Sequence, residues 1–238
     1  MTGTAAQITN GPNNWHGINW KASTYGASGT SFYRSAVGVW QLELSPNDAG
    51  VYAVYNTTYS LSNGGSSNVD IVSKENGSHT GRGLVLNLQA DTASKSFYYV
   101  GVSRNATSNL AELSVYKALN LASTSVNYTL TTGWTSVLAD KVSTGVAWAN
   151  TGTTWTNIGT LSAQRLGNNI IVSFGSYNGT FTDGGTAITG GYAGVTMAQW
   201  DTFGFDNFAM SSVPERTTWA LLAGSLTALM VIRRRRVS

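Results

Sequence analysis

An all-β sandwich is the fold this 238-residue chain predicts, on three observations. Short runs alternate apolar and polar residues with a period of two, the spacing of strands that bury one face. Gly-, Asn- and Ser-rich stretches separate those runs; Gly is 27 of the 238 residues, above the usual ~7%, while Pro is only 3. Before residue 217 no apolar stripe of period 3.6 is long enough to make a helix. Hydrophobic residues make up 42% of the chain, enough for a full core, which excludes disorder driven by charge.

The elements follow in order. Polar residues 1–20 read as a loop or a first strand. Residues 37–44 place Val37, Val39, Leu42 and Leu44 around Trp40, a strand with room for a bulge. Leu84, Leu86 and Leu88 alternate with Val85, Asn87 and Gln89, which predicts a half-buried strand. Residues 97–102, 113–116 and 134–138 are further β-rich runs, and 62–67, 74–77 and 183–185 carry chain-reversing chemistry. After Arg165-Leu166, a turn at 167–169 leads into the apolar strand 170–174, and a second turn is expected over 175–180. Residues 190–195 and 203–208 close the domain. No repeat of fixed period occurs, so a solenoid or propeller is not expected.

Charge divides the chain. Charged residues are only 11%, against roughly 25% in an average soluble protein. The net charge is +3, yet residues 1–212 hold nine Lys and Arg against ten Asp and Glu, a net of −1. The remaining +4 comes from Arg216 and Arg233 to Arg236 against Glu215. A body without a basic face excludes nucleic acid as a partner. Cys is absent, which removes disulfides, thiolate metal sites and cysteine nucleophiles. Residues 1–10 have neither a basic start nor an apolar core, so no signal peptide is read there, and the chain is expected to begin inside a longer one.

Residues 160–210 resemble the closing strands of laminin-G-like, concanavalin-type jelly rolls. The phrases that carry the resemblance are Arg165-Leu166-Gly167-Asn168-Asn169-Ile170, Gly190-Gly191-Tyr192-Ala193-Gly194 and Phe205-Asp206-Asn207-Phe208. The resemblance implies one jelly-roll domain over residues 1–212, its first ~20 residues a truncated start. Glucanases of that type place carboxylates as Glu-x-Asp-x-Glu on one strand so that acid and nucleophile share a cleft. No such triplet exists here: Glu43 stands alone, and Asp70, Glu75 and Asp91 are isolated. His16 and His79 sit in polar, Gly-rich surroundings and read as loop residues rather than bases. The chain is therefore expected not to be an enzyme, a jelly-roll polysaccharide hydrolase being the alternative.

Laminin-G-like domains can hold Ca²⁺ on loop oxygens, for which Asp48, Asp70, Asp183, Asp201 and Asp206 are the candidates. No ligand spacing connects them, so no metal and no other cofactor is assigned. Binding, if carried by aromatic stacking on sugar rings, points to Trp15, Trp20, Trp148, Trp155 and Trp200, each near polar loop residues.

From Trp219 the composition changes. Residues 217–232 are uninterrupted by charge and end in Arg233, Arg234, Arg235 and Arg236. As a helix they span about 24 Å, a few ångström short of a ~30 Å bilayer core, a gap that snorkelling Arg side chains and local thinning cover. The Arg cluster stays cytoplasmic, so the β domain is expected outside. Val213, Pro214, Glu215 and Arg216, the apolar helix and the terminal Arg run resemble, in that order, a PEP-CTERM sorting signal, whose motif reads Val-Pro-Glu-Pro. Here Arg216 stands at the second Pro. The resemblance implies an exosortase as partner, a bacterial membrane anchor over 217–232, a stop-transfer cluster at Arg233 to Arg236 within a basic cytoplasmic tail over 233–238, and a cell-surface destination among exopolysaccharide.

Overall fold

The computed structural model describes residues 15–21, 31–34, 40–43, 50–56, 61, 63–73, 81–89, 95–121, 134–149, 156–198 and 203–211. In chain order the strands are β1 (Trp15–Lys21), β2 (Ser31–Arg34), β3 (Trp40–Glu43), β4 (Gly50–Asn56), β5 (Ser66–Ser73), β6 (Arg82–Gln89) and β7 (Lys95–Arg104). They continue with β8 (Leu110–Leu121), β9 (Ser136–Ala147), β10 (Thr156–Leu166), β11 (Asn169–Phe174), β12 (Tyr177–Thr182), β13 (Tyr192–Ala198) and β14 (Phe203–Ser211). They pair antiparallel into two seven-stranded sheets, of order β1-β4-β13-β6-β7-β8-β9 and β12-β11-β10-β5-β14-β3-β2. Late strands occupy interior places in both: β13 lies between β4 and β6, and β14 between β5 and β3. The last third of the domain therefore joins its early strands to its middle ones.

The core fills the space between the sheets. Val69, Ile71, Leu161, Ala163, Ile170, Val172, Phe174 and Phe205 of the second sheet meet Leu84, Leu86, Tyr98, Val100, Leu113, Val115 and Val195 of the first. Along β11 burial alternates residue by residue, the signature of a strand with one face in the core. Gly167 (φ 61°) and Gly175 (φ 57°) supply the left-handed backbone that the β10–β11 and β11–β12 turns need.

Three expectations change in detail. The turn expected over 175–180 is only Gly175-Ser176; Tyr177 onward is strand β12, paired with β11 from Phe174↔Tyr177 to Asn169↔Thr182. The turn expected over 62–67 narrows to Asn63-Gly64, because Ser66 already begins β5. Strand β6 is not half-buried: every residue from Arg82 to Leu88 is buried, so both of its faces are covered. Residues 37–39 and 74–77, the sorting motif at Val213, Pro214, Glu215 and Arg216, the helix expected over 217–232 and the basic run 233–236 lie outside the described residues. Among the described residues no helix is long and apolar enough to cross a membrane.

Candidate functional site

Of the five tryptophans singled out in the sequence, Trp148 is fully buried, with the Arg82 guanidinium 4.7 Å from its ring centre. Trp15 and Trp20 lie on β1, opposite Asn56 and Val51 of β4, and His16 opposite Tyr55. Trp155, Trp200 and His79 lie outside the described residues. A tryptophan the sequence did not single out, Trp134, just ahead of β9, is half-buried and keeps some exposed surface. Its indole stacks on Tyr116 of β8, centroids 5.1 Å apart and planes 23° apart. Tyr99 of β7 lies 5.7 Å from both Trp134 and Tyr116, and Phe97 meets Trp134 edge-on at 5.7 Å. All four separations fall in the range of favourable ring pairs.

This stack belongs to the first sheet, where Val85, Tyr99 and Tyr116 are successive cross-strand partners. Tyr99 and Tyr116 are wholly buried. Burial pushes both phenols above their ordinary pKa; in Tyr116 the hydrogen bond its hydroxyl donates to Asp140 Oδ1 (2.5 Å) acts in the same sense. Trp134 Nε1 and Tyr99 Oη are buried with no hydrogen-bond partner. Beside the stack, Val137 pairs with Tyr116 and is 51% exposed.

The carboxylates divide into two groups. Asp183, a candidate Ca²⁺ ligand in the sequence, is buried at the end of β12 and bonded within the protein. Its Oδ2 accepts from Lys117 Nζ (2.5 Å) and from Tyr98 Oη (2.7 Å), and its Oδ1 accepts from Gly185 N. Lys117 also donates to Thr186 O, and Tyr98 Oη accepts from Ile188 N. Farther along, Gln89 donates to Thr189 O, Asn87 to Gly190 O, and Leu61 N to Gly191 O. The ammonium of Lys117 thus stands where a cation would sit, and the connection 183–191 is fastened at most of its residues. Burial alone would raise the pKa of Asp183, but the hydrogen bonds from Lys117, Tyr98 and Gly185 N outweigh it and hold the carboxyl below its ordinary value. Tyr98 is raised, by burial first and then by its bond to Asp183.

Asp70 and Asp206 form the second group, directly opposite each other on β5 and β14. Asp70 accepts from Thr160 Oγ1 (2.5 Å) and from Asn207 Nδ2 (2.8 Å), while Asp206 Oδ1 accepts from Asn207 N. Asn207 (φ 51°) occupies the β14 bulge, which aims its amide at Asp70. These bonds tie β10, β5 and β14 together on the outward face of the second sheet. Asp48 and Asp201 lie outside the described residues, and among the described residues no three His, Asp or Glu come together as a metal site.

Around that pair the outward face is polar and nearly uncharged. Asn68 of β5, Thr160, Ser162 and Gln164 of β10, and Asn169 and Ser173 of β11 are half-buried or exposed; Asn178, Thr180 and Thr182 of β12 are exposed, and the half-buried Ile171 of β11 stands among them. They follow from the period-two pattern, since the alternate residues of the same strands form the core.

No protein-family profile and no curated protein matches this chain. Solved structures do. The metal-free exoplasmic/lumenal domain of VIP36 aligns with 88% of this chain and 89% of its own, at 12% identity and a TM-score of 0.48. Toad ovary galectin in complex with thio-digalactose aligns with 67% of this chain and 98% of its own, at 11% identity and a TM-score of 0.41. The carbohydrate-binding module CBM66 from Bacillus subtilis aligns with 84% of this chain and 96% of its own, at 15% identity and a TM-score of 0.53. The likeness to CBM66 is one of fold: the described residues between 15 and 211 form an all-β jelly-roll sandwich.

Proposed function

We propose that this chain is a non-catalytic, exported bacterial surface protein whose sandwich associates with extracellular polysaccharide. The observation that carries the reading is the outward face of the second sheet, a broad display of hydroxyl and amide groups with few charges. Such a face exchanges hydrogen bonds with sugar hydroxyls and does not select for strongly charged partners. The fold shared with CBM66, a carbohydrate-binding module, supports the same reading. Asp183, buried, paired with Lys117 and held ionised, is not placed to donate a proton.

The tail extends the proposal. Residues 217–232 anchor the chain in the inner membrane, Arg233 to Arg236 hold its end in the cytoplasm, and an exosortase acts at Val213-Pro214-Glu215-Arg216. Moving four Arg across the bilayer centre would cost about 10 kcal/mol, which sets the orientation.

A glycan array combined with a reducing-sugar release assay, both on the full chain in mild detergent, tests the reading. Binding without release of reducing ends is expected; turnover of any polysaccharide would replace it with a hydrolase. With an export signal appended, co-expression with an exosortase is expected to release the β domain, faster in Arg216→Pro. A chain that carbonate washes off the membrane would remove both the anchor and the sorting signal.

A further inference from the structure

We infer that Trp134 is the platform on which a neutral pyranose ring stacks, a subsite on the outward face of the first sheet; this rests on the polysaccharide-binding reading above. Two observations converge there. First, the indole is held rigid before any ligand arrives, by Tyr116 beneath it at 5.1 Å and by Tyr99 and Phe97 at 5.7 Å. Stacking on a ring already fixed costs little side-chain entropy. Second, Trp134 retains exposed surface although Tyr99, Tyr116 and Phe97 below it have none. Val137, 51% exposed, extends the apolar surface beside the stack, and the exposed Asp140 puts a carboxylate at its border. An aromatic base with an apolar flank and a polar border suits a sugar, whose C–H face is apolar and whose rim is hydroxylated.

The chemistry selects sugars with equatorial hydroxyls, which present a continuous C–H face to the ring. The acidic border formed by Asp140 disfavours uronic acids and sulfated sugars.

The test is isothermal titration of the full chain with cellohexaose, a β-galactan hexasaccharide and an α-mannan hexasaccharide. Trp134→Ala is expected to weaken binding at least about tenfold, and Trp134→Tyr, which keeps a stacking ring, to stay within about threefold of wild type. Because Trp134→Ala also removes a packed ring, the wild-type chain is labelled with fluorotryptophan. The Trp134 fluorine resonance, assigned by its loss in Trp134→Tyr, is expected to shift on addition of the bound hexasaccharide. Hexasaccharide binding that leaves this resonance unmoved, or that survives Trp134→Ala unchanged, overturns the platform and leaves the polysaccharide reading standing. Binding on the array of acidic glycans alone does the same. Failure of the wild type to bind any arrayed glycan removes the broader reading and the platform with it.

Discussion

The two sheets of this sandwich are built from similar residues yet meet their surroundings in opposite ways. In the second sheet, β10 and β11 alternate between core and solvent almost residue by residue. In the first, β6 is buried on both faces, and the outward face carries the packed rings of Tyr99, Tyr116, Phe97 and Trp134. A strand covered on both sides tolerates change at neither, whereas a strand with one wet face tolerates it at every second position. The difference also separates the two surfaces proposed to bind sugar: a broad hydrogen-bonding face on one sheet and a compact aromatic site on the other.

The largest effect is expected where the first sheet has no room at all. A side chain at Gly83 of β6 would overlap the Val100 carbonyl oxygen and come within 2.8 Å of Gly101 Cα and 2.9 Å of Leu161 Cδ2. Two of those three atoms are backbone, which cannot swing aside. Gly83→Val is expected to cost about 5 kcal/mol or to prevent folding, measured by chemical denaturation. Ser162→Val on the outward face of β10 is expected to stay within about 0.5 kcal/mol. Equal losses at the two sites would erase the distinction between the sheets.

A step smaller is the clasp between the first sheet and the connection that leaves β12. Lys117→Met leaves the buried Asp183 carboxylate without its cation and is expected to cost about 3 kcal/mol; Lys117→Met with Asp183→Asn should recover part of it. The pH dependence follows from the shifts. Because the folded state holds Asp183 below its ordinary pKa, its contribution is complete above about pH 4, the unfolded value, and is lost as pH falls through the lower folded value. Tyr98, Tyr99 and Tyr116 are raised, so folding favours their neutral forms. Their contribution is complete below about pH 10 and declines as pH rises past it, because the unfolded chain releases those protons first. Thermal melts from acid to alkali should therefore fall at both ends. In the double variant the acid limb should flatten while the alkaline limb remains; an acid limb unchanged in that variant would mean that other carboxylates govern it.

What could be read from the sequence follows the same division. The β10–β11 hairpin was legible because turn and strands are local: Gly167-Asn168 sits between two apolar runs, and Ile170, Val172 and Phe174 mark one face. Tyr177-Asn178-Gly179-Thr180 has turn composition, and only its pairing with β11 makes it strand β12. Leu84, Leu86 and Leu88 announced one buried face of β6, but no local pattern announces what covers the other. Nothing near Lys117 in the sequence points to its partner, which is 66 residues away. Trp134 escaped notice for the same reason, since its exposure depends on where Phe97, Tyr99 and Tyr116 place their rings.

The smallest effect, and the sharpest contrast with Lys117 and Asp183, is expected at Asp70. Its carboxylate also bonds across strands, to Thr160 and Asn207, but on a solvated face and directly opposite Asp206. Like charges at opposed cross-strand positions destabilise a sheet by a few tenths of a kcal/mol, and bonds on a wet face return about as little. Asp70→Asn removes the repulsion and weakens the two bonds, so its net effect is expected to lie within about 0.5 kcal/mol. The two terms separate with salt. Screening relieves the Asp70–Asp206 repulsion in the wild type, which should gain stability between low and high ionic strength, while Asp70→Asn, with no such pair, should gain less. Melting both chains over a salt series tests this. A loss above about 2 kcal/mol in Asp70→Asn, at any salt, would mean that the second sheet holds a clasp as demanding as that of Lys117 and Asp183, and that its outward face is part of the architecture rather than free for a ligand.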